Sequence, residues 1–380
     1  MNILITSTRA PVALELIRAF GRAGHTVIAT DTQPWTVGSR SRHLTEHVVT
    51  PQPRQEPQRF LDALERIVRA HRIDLLIPTC EEVFHVARGY ERLSRITSVC
   101  ASPLDLLAEL HHKFAFQQHA AALGIRTPQT ALVTDCDELR AMLPQFPRYV
   151  LKPAYSRFAT RVITNSGQHA GLVPLSACQP TPQQPWLLQA FIEGASLCTY
   201  STLHEGHVTA HCAYAIPYTF GGGSGVQFRS VDGAETLAIV RQIGAALGYT
   251  GQLSLDFIQA ADDLYLLECN PRATSGAHLI DPARLIAALT DPRQPTWIEP
   301  PGRCRQLTIP LLASVAAQPR RWLAALREAL RHADVIADRR DLLPLLAQLP
   351  MTLHFARISR RKRIGLTAAT THDIEWNGER

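Results

Sequence analysis

The sequence predicts an α/β protein that begins with a Rossmann-like parallel sheet, continues with an α+β region and ends in a small C-terminal region. Three observations support this fold class. Short apolar strands alternate with amphipathic helices in the first part of the chain. Two strand-like runs joined by a short polar turn occupy residues 251–276. The part of the chain after residue 298 has a helical pattern that is rich in arginine.

Length and composition limit the class of protein. The chain has 380 residues, which is enough for two or three domains with their own cores. Hydrophobic residues make up 46% and charged residues 19% of the chain, as is typical of a soluble globular protein. We see no run long enough to span a bilayer and no export signal, so we expect a cytoplasmic protein. The eight cysteines form no CxxC pair, which favours reduced core thiols over disulfides or a zinc site.

The first elements have a β-α-β rhythm. Asn2 to Ser7 is predicted as a buried strand, Ala13 to Ala23 as a helix and Thr26 to Thr30 as a second strand. Pro57 to His71 follows as an amphipathic helix, and Leu75 to Pro78 as another buried strand. This alternation indicates an open parallel sheet with helices on both faces.

The turn after the first strand, Ser7 to Pro11, lacks the GxGxxG fingerprint, which argues against a dinucleotide site. Ligands of such sheets bind beyond the carboxyl ends of the strands, and Glu81 and Glu82 lie just past one of those ends. The two acids either bind an amine or begin the following helix, where negative charge suits the helix dipole. We favour the helix start for at least one of them.

Two lysines bracket the α+β unit that follows. Lys113 opens a helix predicted to run to Leu123, and Lys152 lies at the end of the strand Tyr149 to Pro153. A lysine held by rigid backbone beside a proline is well suited to contact a phosphate. Considered singly, each is better explained as an ordinary surface residue.

Two further segments have a possible ligand role. The run Trp186 to Ser196 reads as an apolar strand that can present backbone groups to a base edge while Phe191 and Ile192 pack around the base. Its simpler interpretation is a buried strand. The glycine-rich stretch Thr219 to Gly225 lets backbone amides approach an anion, or is a flexible connection.

The predicted hairpin at residues 251–276 carries the strongest metal signal. Glu268 and Asn270 emerge on one face of the second strand, and Asp256 lies on the partner strand, in a register that the turn leaves open. Two carboxylates and an amide oxygen are hard ligands of the kind that Mg²⁺ prefers. The alternative is a half-buried hairpin whose acids face solvent. Arg272, which follows directly, supplies a cation where an anionic substrate would need one.

The order of these segments resembles the ATP-grasp superfamily, which includes D-alanine–D-alanine ligase, biotin carboxylase and the synthetase domains of carbamoyl-phosphate synthetase. The motifs are Lys152-Pro153, LLQAFIEG, GGGSG and DF…LLECNPRATSG, and the resemblance covers roughly residues 1–295. It implies a two-subdomain ATP-grasp fold, with a pre-ATP-grasp domain at 1–110, the ATP-grasp domain at 111–298, its lid subdomain at about 113–190, and a C-terminal α-rich region at 299–380.

The resemblance also implies roles for individual residues. Those expected at the nucleotide are Lys113, Lys152, Ser156, Thr160, Gln189, Phe191, Ile192 and Ser196. Those expected at Mg²⁺, or Mn²⁺ in its place, are Asp256, Glu268 and Asn270. Those expected at the substrate or acyl phosphate are Arg272, Ser275 and Arg229.

The activity implied is an ATP-dependent ligase that joins a carboxylate to an amine through an acyl phosphate. A bicarbonate-activating enzyme and a non-catalytic nucleotide-binding relative are the alternatives. Three departures from the family pattern bear on this choice: the phosphate-covering loop Tyr155 to Thr160 lacks glycine, Ser196 stands near the usual ribose-binding acid, and Gln189-Ala190 replaces an early acid. Small-molecule substrates are expected, without nucleic acid or membrane. The resemblance allows a homodimer, and the sequence leaves the oligomeric state open.

The C-terminal region departs from the core pattern. Helices are predicted at Arg321 to His332 and Asp341 to Leu349, and a dense basic run lies at Ile358 to Arg363. We favour a solvated turn or helix-end cluster for this run. The functional alternative is a docking patch for an acidic carrier protein, in keeping with the formal net charge of +6. No aromatic residues interleave with the basic ones, which argues against nucleic acid.

Overall fold

The computed structural model describes residues 1–156, 161–220, 223–261, 263–316 and 319–379. Within these residues the chain forms a five-stranded parallel sheet, a four-stranded antiparallel sheet and an eight-stranded, mainly antiparallel sheet. The predicted α/β class with a Rossmann-like N-terminal sheet is therefore confirmed. Among the described helices, none combines the length and the apolar character needed to cross a bilayer.

The N-terminal sheet has the strand order β3-β2-β1-β4-β5, and its strands are parallel. Ile3, Leu4 and Ile5 of the central strand are fully buried because helices cover both faces of the sheet. The first helix begins at Pro11 rather than at Ala13, since proline fits the first helical turn. The strands are β1 (Asn2–Thr6), β2 (Thr26–Asp31), β3 (Glu46–Val49), β4 (Leu75–Ile77) and β5 (Ser98–Val99). The helices are α1 (Pro11–Arg22), α2 (Pro57–His71), α3 (Glu82–Arg88), α4 (Tyr90–Leu93) and α5 (Leu104–His111).

Glu82 provides the helix start that we favoured for one of the paired acids. Helix α3 begins at this residue, and Glu82 Oε1 accepts hydrogen bonds from the backbone N–H of Thr79 at 2.9 Å and of Cys80 at 3.2 Å. The Thr6 hydroxyl donates to the same oxygen at 2.6 Å. Glu81 turns the other way, toward the end of the chain and Arg272. The two neighbouring carboxylates therefore have different surroundings.

The antiparallel four-stranded sheet has the order β6-β9-β7-β8. It follows helix α6, which begins at Lys113 as predicted, and its own small core is centred on Trp186 and Leu188. The strand predicted at Tyr149 to Pro153 has those bounds in the structure. The elements are α6 (Lys113–Ala122), β6 (Thr130–Val133), α7 (Cys136–Met142), β7 (Tyr149–Pro153), β8 (Ile163–Thr164) and β9 (Trp186–Ala190).

The large sheet contains the predicted hairpin at one edge. Its order is β14-β13-β10-β11-β12-β16-β17, and β15 pairs with β11. Leu253, Leu255 and Phe257 of β13 belong to the same core cluster as Leu4 and Phe84 of the N-terminal unit, so one apolar core joins the two sheets. The elements are β10 (Ala195–His204), β11 (His207–Phe220), β12 (Ser224–Val231), α8 (Ala234–Leu247), β13 (Gly251–Ala260), β14 (Asp263–Asn270), α9 (Pro282–Thr290), β15 (Trp297–Ile298), β16 (Cys304–Gln306) and β17 (Ala333–Asp334).

The C-terminal region is mainly helical. The helix expected at Asp341 to Leu349 begins at Leu343 and continues to Lys362, so the basic run Ile358 to Arg363 lies at its C-terminal end. This confirms the helix-end interpretation of that run. The helices are α10 (Thr308–Val315), α11 (Pro319–Arg331), α12 (Leu343–Lys362) and α13 (Leu366–Ala369).

Buried charges tie the C-terminal region to the start of the chain. The Arg18 guanidinium on α1 donates to the Asp341 carboxylate at 2.8 Å. Arg9, just after β1, donates to Asp31 at 2.6 Å and to Asp373 at 2.6 Å, and both carboxylate side chains are fully buried. Burial opposes ionisation of Asp373, but Arg9 and the Thr32 hydroxyl outweigh it and lower the pKa of Asp373. The final residues thereby close the carboxyl edge of the N-terminal sheet.

Candidate active site

The hairpin β13–β14 brings two carboxylates directly opposite each other. The register pairs Asp256 with Glu268 and Ser254 with Asn270 across antiparallel strands, with a bulge after Asp256. The Asn270 amide nitrogen donates to Asp256 Oδ2 at 3.1 Å. The register that the sequence left open thus places all three predicted metal-site residues together on one face of the sheet.

The proximity of the two carboxylates changes their ionisation. Burial, and next the charge of Glu268, raises the pKa of Asp256 to about 6. For Glu268, burial acts in the same direction, but Lys113 and Lys152 outweigh it and lower its pKa. Glu268 therefore ionises first as the pH rises, and Asp256 carries the energetic cost of the pair.

Lys113 and Lys152 converge on Glu268 from two different elements. Lys152 Nζ lies 3.5 Å from Glu268 Oε2, and Lys113 Nζ lies 3.7 Å from the same atom. The two lysines are 6% and 4% exposed, so neither is an ordinary surface residue. His112 caps helix α6 by accepting a hydrogen bond from the backbone N–H of Ala115 at 3.2 Å, which fixes the start of the helix that carries Lys113.

The donor set suits a hard divalent cation. Within the described residues no three His, Cys, Asp or Glu side chains gather as a metal site, so the protein offers two carboxylates and one amide. A cation with this set takes its remaining ligands from water or phosphate, as Mg²⁺ commonly does. A bound cation would offset the repulsion between the carboxylates of Asp256 and Glu268, which face each other. Asn270 fits once its oxygen turns from Arg272, which donates to it at 3.2 Å.

Arg272 links the hairpin to the N-terminal unit. Its Nε lies 3.8 Å from Glu81 Oε1. Burial opposes the charge of the guanidinium, but Glu81, Cys80 and the hairpin carboxylates outweigh it and raise the pKa of Arg272. A fixed cation therefore stands between the paired acids and the carboxyl edge of the N-terminal sheet.

Thr274 is a hydroxyl that the sequence reasoning missed. Its Oγ lies 2.8 Å from the Ser254 hydroxyl and 3.2 Å from the Tyr214 hydroxyl, so it joins the segment after β14 to strands β13 and β11 beside the acids. Ser275, which we predicted instead, begins a short 3₁₀ helix that runs to Leu279. Ser254 had a signal in the sequence, because it lies two residues before Asp256 on the same strand face. Tyr214 had none, since only the sheet register brings it there.

Arg229 is not brought to the acids. The register across four strands aligns Arg229 with Ala215, Leu197 and Phe257. The neighbouring row contains Asp256, Cys198 and Tyr214, and adjacent rows point to opposite faces of a sheet. Arg229 Nη2 instead lies 3.4 Å from Glu328 Oε2 on α11. Its predicted role at the substrate has no geometric support here.

The predicted base-binding segment follows β9. Gln189 is buried, and its side-chain nitrogen donates to the Thr130 hydroxyl at 2.9 Å. The backbone N–H of Phe191 donates to the Arg148 carbonyl at 3.0 Å, and the Arg148 guanidinium lies 4.8 Å from the centre of the Phe191 ring. In the described part of the chain the N–H of Ile192 has no backbone partner. Its amide is therefore available to a ligand, and the N–H groups of Glu193 and Gly194 likewise have no backbone partner among the described residues.

The remaining nucleotide-site predictions are Ser156 and Thr160, in the loop predicted to cover the phosphates, and Ser196. The Ser156 carbonyl accepts a hydrogen bond from Lys113 Nζ at 2.7 Å, and its hydroxyl donates to the Pro153 carbonyl at 3.3 Å. Thr160 lies outside the described residues. Ser196, at the start of β10, is exposed and pairs with Ile258.

Comparisons with known proteins agree with this architecture. Residues 111–276 match a family model described as the ATP-grasp domain. A search of curated protein sequences gives no significant match. N5-carboxyaminoimidazole synthetase from Staphylococcus aureus, solved with ADP, has a similar structure at a TM-score of 0.63 and 11% identity, covering 78% of this chain and 79% of that one.

Two other solved structures are similar. The biotin carboxylase domain of the 2-oxoglutarate carboxylase from Hydrogenobacter thermophilus, solved with MgADP, ADP and bicarbonate, has a TM-score of 0.57 at 15% identity, over 76% of this chain and 69% of that one. L-amino acid ligase from Bacillus licheniformis has a TM-score of 0.57 at 16% identity, over 76% and 75%. Together with the geometry above, these matches show that the chain carries an ATP-grasp domain at residues 111–276 and has the fold of the ATP-grasp superfamily.

Proposed function

We propose that the protein is an ATP- and Mg²⁺-dependent, ADP-forming ligase that joins a carboxylate to an amine through an acyl phosphate. The observation that supports it best is the convergence of Lys113 and Lys152 on Glu268, which itself faces Asp256. Two buried cations and two half-buried anions at one point match what a metal–polyphosphate ligand would need. The same pattern is hard to explain as a device for stability, because Asp256 is destabilised there.

In this proposal the lysines change partners when the nucleotide binds. Lys113 and Lys152 leave the carboxylate and neutralise phosphate oxygens, while Asp256, Glu268 and Asn270 hold the metal. The metal would supply charge neutralisation of the transferring phosphoryl group. The Ile192 amide and the Phe191 ring would contact the base. Gln189 would hold that segment in place through its hydrogen bond to Thr130. Ser156, Ser196 and Thr160 remain proposed contacts to the phosphates and sugar.

The substrate carboxylate is proposed to lie at Arg272. The guanidinium offers a charge-assisted, two-pronged contact, and Thr274, two residues further along the chain, bonds through its hydroxyl to Ser254. Ser275 remains a further proposed contact. Glu81, which faces Arg272, is the residue that we propose to receive the amine. The two substrates would thus meet between the hairpin and the N-terminal sheet.

The nearby thiols do not favour covalent catalysis. Burial, with Asp256 next in effect, raises the pKa of Cys198 well above its ordinary value, and burial with the two hairpin acids does the same for Cys269. Both side chains therefore stay protonated at neutral pH. Transfer through an acyl phosphate needs no nucleophile from the protein, and catalysis would come from positioning and from fixed cations.

The experiment is a screen for ADP release over carboxylates and amines with Mg²⁺, with mass spectrometry of the products. Glu268→Gln and Asp256→Asn are each expected to lower turnover at least about a hundredfold while the fold is retained. The matched control is Asp263→Asn, at the far end of the same hairpin, where the carboxylate pairs with Arg126 on the surface. Full activity in both site variants would refute the metal assignment.

A bicarbonate-activating enzyme is the second candidate. The similar structures include a carboxylase domain solved with bicarbonate, although at 15% identity that likeness concerns the fold alone. Arg272 suits bicarbonate as well as an organic carboxylate. ADP formed with bicarbonate and no amine would support this candidate, and ADP formed only when an acid and an amine are both present would support the ligase.

A further inference from the structure

Helix α12 has two opposite apolar faces, and only one of them is covered. Pro344, Ala347 and Phe355 are buried against the rest of the protein, and the Phe355 ring centre lies 5.4 Å from the Arg9 guanidinium. On the other side is a leucine strip formed by Leu342, Leu346, Leu349 and Leu353, which are 56%, 67%, 67% and 49% exposed. A surface helix normally presents only one apolar face.

The spacing of the leucine strip is that of a helix–helix seam. Its members are four, three and four residues apart, and Leu342 directly precedes the helix. At about 100° per residue they fall within roughly 60° of one another and extend over about 16 Å. Arg357 and Arg360 continue the same line toward the end of the helix. The strip therefore ends in positive charge on the face that it occupies.

The charged end is uncompensated. We define the basic end as Arg357, Arg360, Arg361, Lys362 and Arg363, and all five are exposed. Across the ranges that the structure describes, none of them has an ion pair. The last turn of a helix also carries partial negative charge, which favours cations there but does not neutralise five of them. Acidic groups of another molecule would neutralise these cations.

We propose that α12 is the docking helix for an acidic helical protein domain. The partner would lay an apolar helix face, with side chains at i, i+3, i+4 and i+7, along the leucine strip, and place carboxylates at the basic end. Apolar contacts supply affinity in such a complex, and the charges set its direction. This surface is separate from the ATP-grasp site and does not depend on the reaction proposed for it.

A second copy of this chain fits the surface less well. An antiparallel pair of α12 helices would bring the basic end against the partner copy's Arg339 and Arg340, which are exposed just before the helix. The acids of that segment are already engaged, Asp341 by Arg18 and Asp338 by Arg22. A parallel pair would bring the two basic ends together. Both arrangements would therefore place positive charges next to positive charges, which disfavours them.

A lipid surface also fits less well. Helices that lie on anionic membranes carry basic residues along the whole polar face. Here the cations are confined to the last turns, and the residues beside the strip over its first turns, Gln348 and Thr352, are uncharged. The surface is therefore better matched to a partner with one acidic end.

The test uses two synthetic amphipathic peptides of about 18 residues, long enough to be helical. They share one leucine face, and one has glutamates at one end where the other has lysines. Fluorescence anisotropy with the 380-residue protein at about 0.1 M salt should show the glutamate peptide binding at least about tenfold more tightly. A scrambled glutamate peptide of equal charge, without the apolar face, should not bind.

Protein variants sharpen the result. Leu346→Ser with Leu349→Ser should weaken the glutamate peptide at least about tenfold, and Arg360→Glu with Arg361→Glu should reverse the preference toward the lysine peptide. Leu172→Ser, at another leucine that is 71% exposed, and Arg339→Glu with Arg340→Glu are the matched controls and should change nothing. None of these variants should alter ADP release or thermal unfolding.

Three outcomes would overturn the proposal. The first is equal affinity for the two peptides, or loss of binding on Arg339→Glu with Arg340→Glu alone. The second is a dimer, by light scattering, that the paired leucine substitutions convert to a monomer, which would make the strip a self-interface. The third is sedimentation with phosphatidylglycerol vesicles that the same substitutions abolish.

Discussion

Two charge clusters, one at the carboxyl edge of the N-terminal sheet and one on the hairpin β13–β14, differ in how their charges are satisfied. At the carboxyl edge of the N-terminal sheet, the Arg9 guanidinium contacts Asp31 and Asp373, each at 2.6 Å. On the hairpin, Asp256 faces Glu268, and the lysines lie 3.5 and 3.7 Å from Glu268. The first cluster is complete within the chain, whereas the second leaves a carboxylate in an unfavourable state.

This difference separates a structural cluster from a functional one. The charge of Arg9 and its hydrogen bond to Asp373 lower the pKa of Asp373 in spite of burial. The pKa of Asp256 is instead raised to about 6 by burial and by Glu268. A protein gains nothing in stability from keeping two acids face to face unless another charge joins them. The comparison predicts that substitutions in the first cluster affect stability and those in the second affect ligand binding.

The largest effect that would test the comparison is on the complete cluster. Arg9→Met should lower the free energy of unfolding by about 3–5 kcal/mol, because it leaves Asp31 and Asp373 buried without their cation. Urea denaturation measures this. Arg59→Met, at a surface ion pair whose arginine side chain is 75% exposed, is the control and should change little. If the Arg9 variant is as stable as the original protein, the cluster does not stabilise the fold.

The next effect concerns the open cluster. Lys152→Met should weaken ATP binding by about 10–100-fold, since one of two cations aimed at the phosphates is lost. Stability should change much less than for Arg9→Met, because Glu268 keeps Lys113 as a neighbour. Calorimetric titration with ATP and Mg²⁺, beside urea denaturation, measures both quantities. Destabilisation without a change in nucleotide affinity would make Lys152 a structural residue.

The two clusters should also respond to pH in opposite directions. Asp373 has a lowered pKa, so its contribution to stability is present above its ordinary value of 3.8 and is lost as the pH falls through the native pKa. Asp256 has a raised pKa, so stability is lost as the pH rises from about 4 to about 6, because the carboxyl must ionise inside the folded protein.

Asp256→Asn should remove that decline, on the order of 1 kcal/mol, while leaving the loss at acid pH intact. Asp373→Asn should remove the loss of stability at acid pH and leave the decline that Asp256 causes. Unfolding free energies at a series of pH values measure both slopes. The same raised pKa implies that Mg²⁺ binds more tightly as the pH rises through about 6. An unchanged slope in the Asp256→Asn protein would contradict the assignment.

The smallest expected effect refines the substrate side of the open cluster. Thr274→Val should raise the KM for the carboxylate about threefold and leave that for ATP unchanged, because it removes the hydroxyl bonded to Ser254 and Tyr214. Ser275→Ala is the paired variant and should have a smaller effect. If Ser275→Ala has the larger effect, Ser275, which the sequence pattern indicated, is the residue that contacts the carboxylate.

Much of the fold followed from local patterns. The parallel N-terminal sheet, the helix at Pro57–His71 and the strand at Tyr149–Pro153 were predicted because their apolar periodicity and prolines act over a few residues. The hairpin was predicted for the same reason, and its register was not, because the pairing depends on the turn. The domain boundaries and the roles of the site residues remain predictions.

The sequence by itself determined the kinds of groups available: two acids and an amide on alternating positions, two lysines at element ends, and an arginine after the hairpin. Only the tertiary structure decided which of them meet. Lys113 and Lys152 reach Glu268 over 155 and 116 residues, Asp373 reaches Arg9 over 364, and Arg229 turns to Glu328. Periodicity specifies which face a side chain takes within one element, whereas contacts between elements depend on how the sheets pack, and no local pattern contains that information.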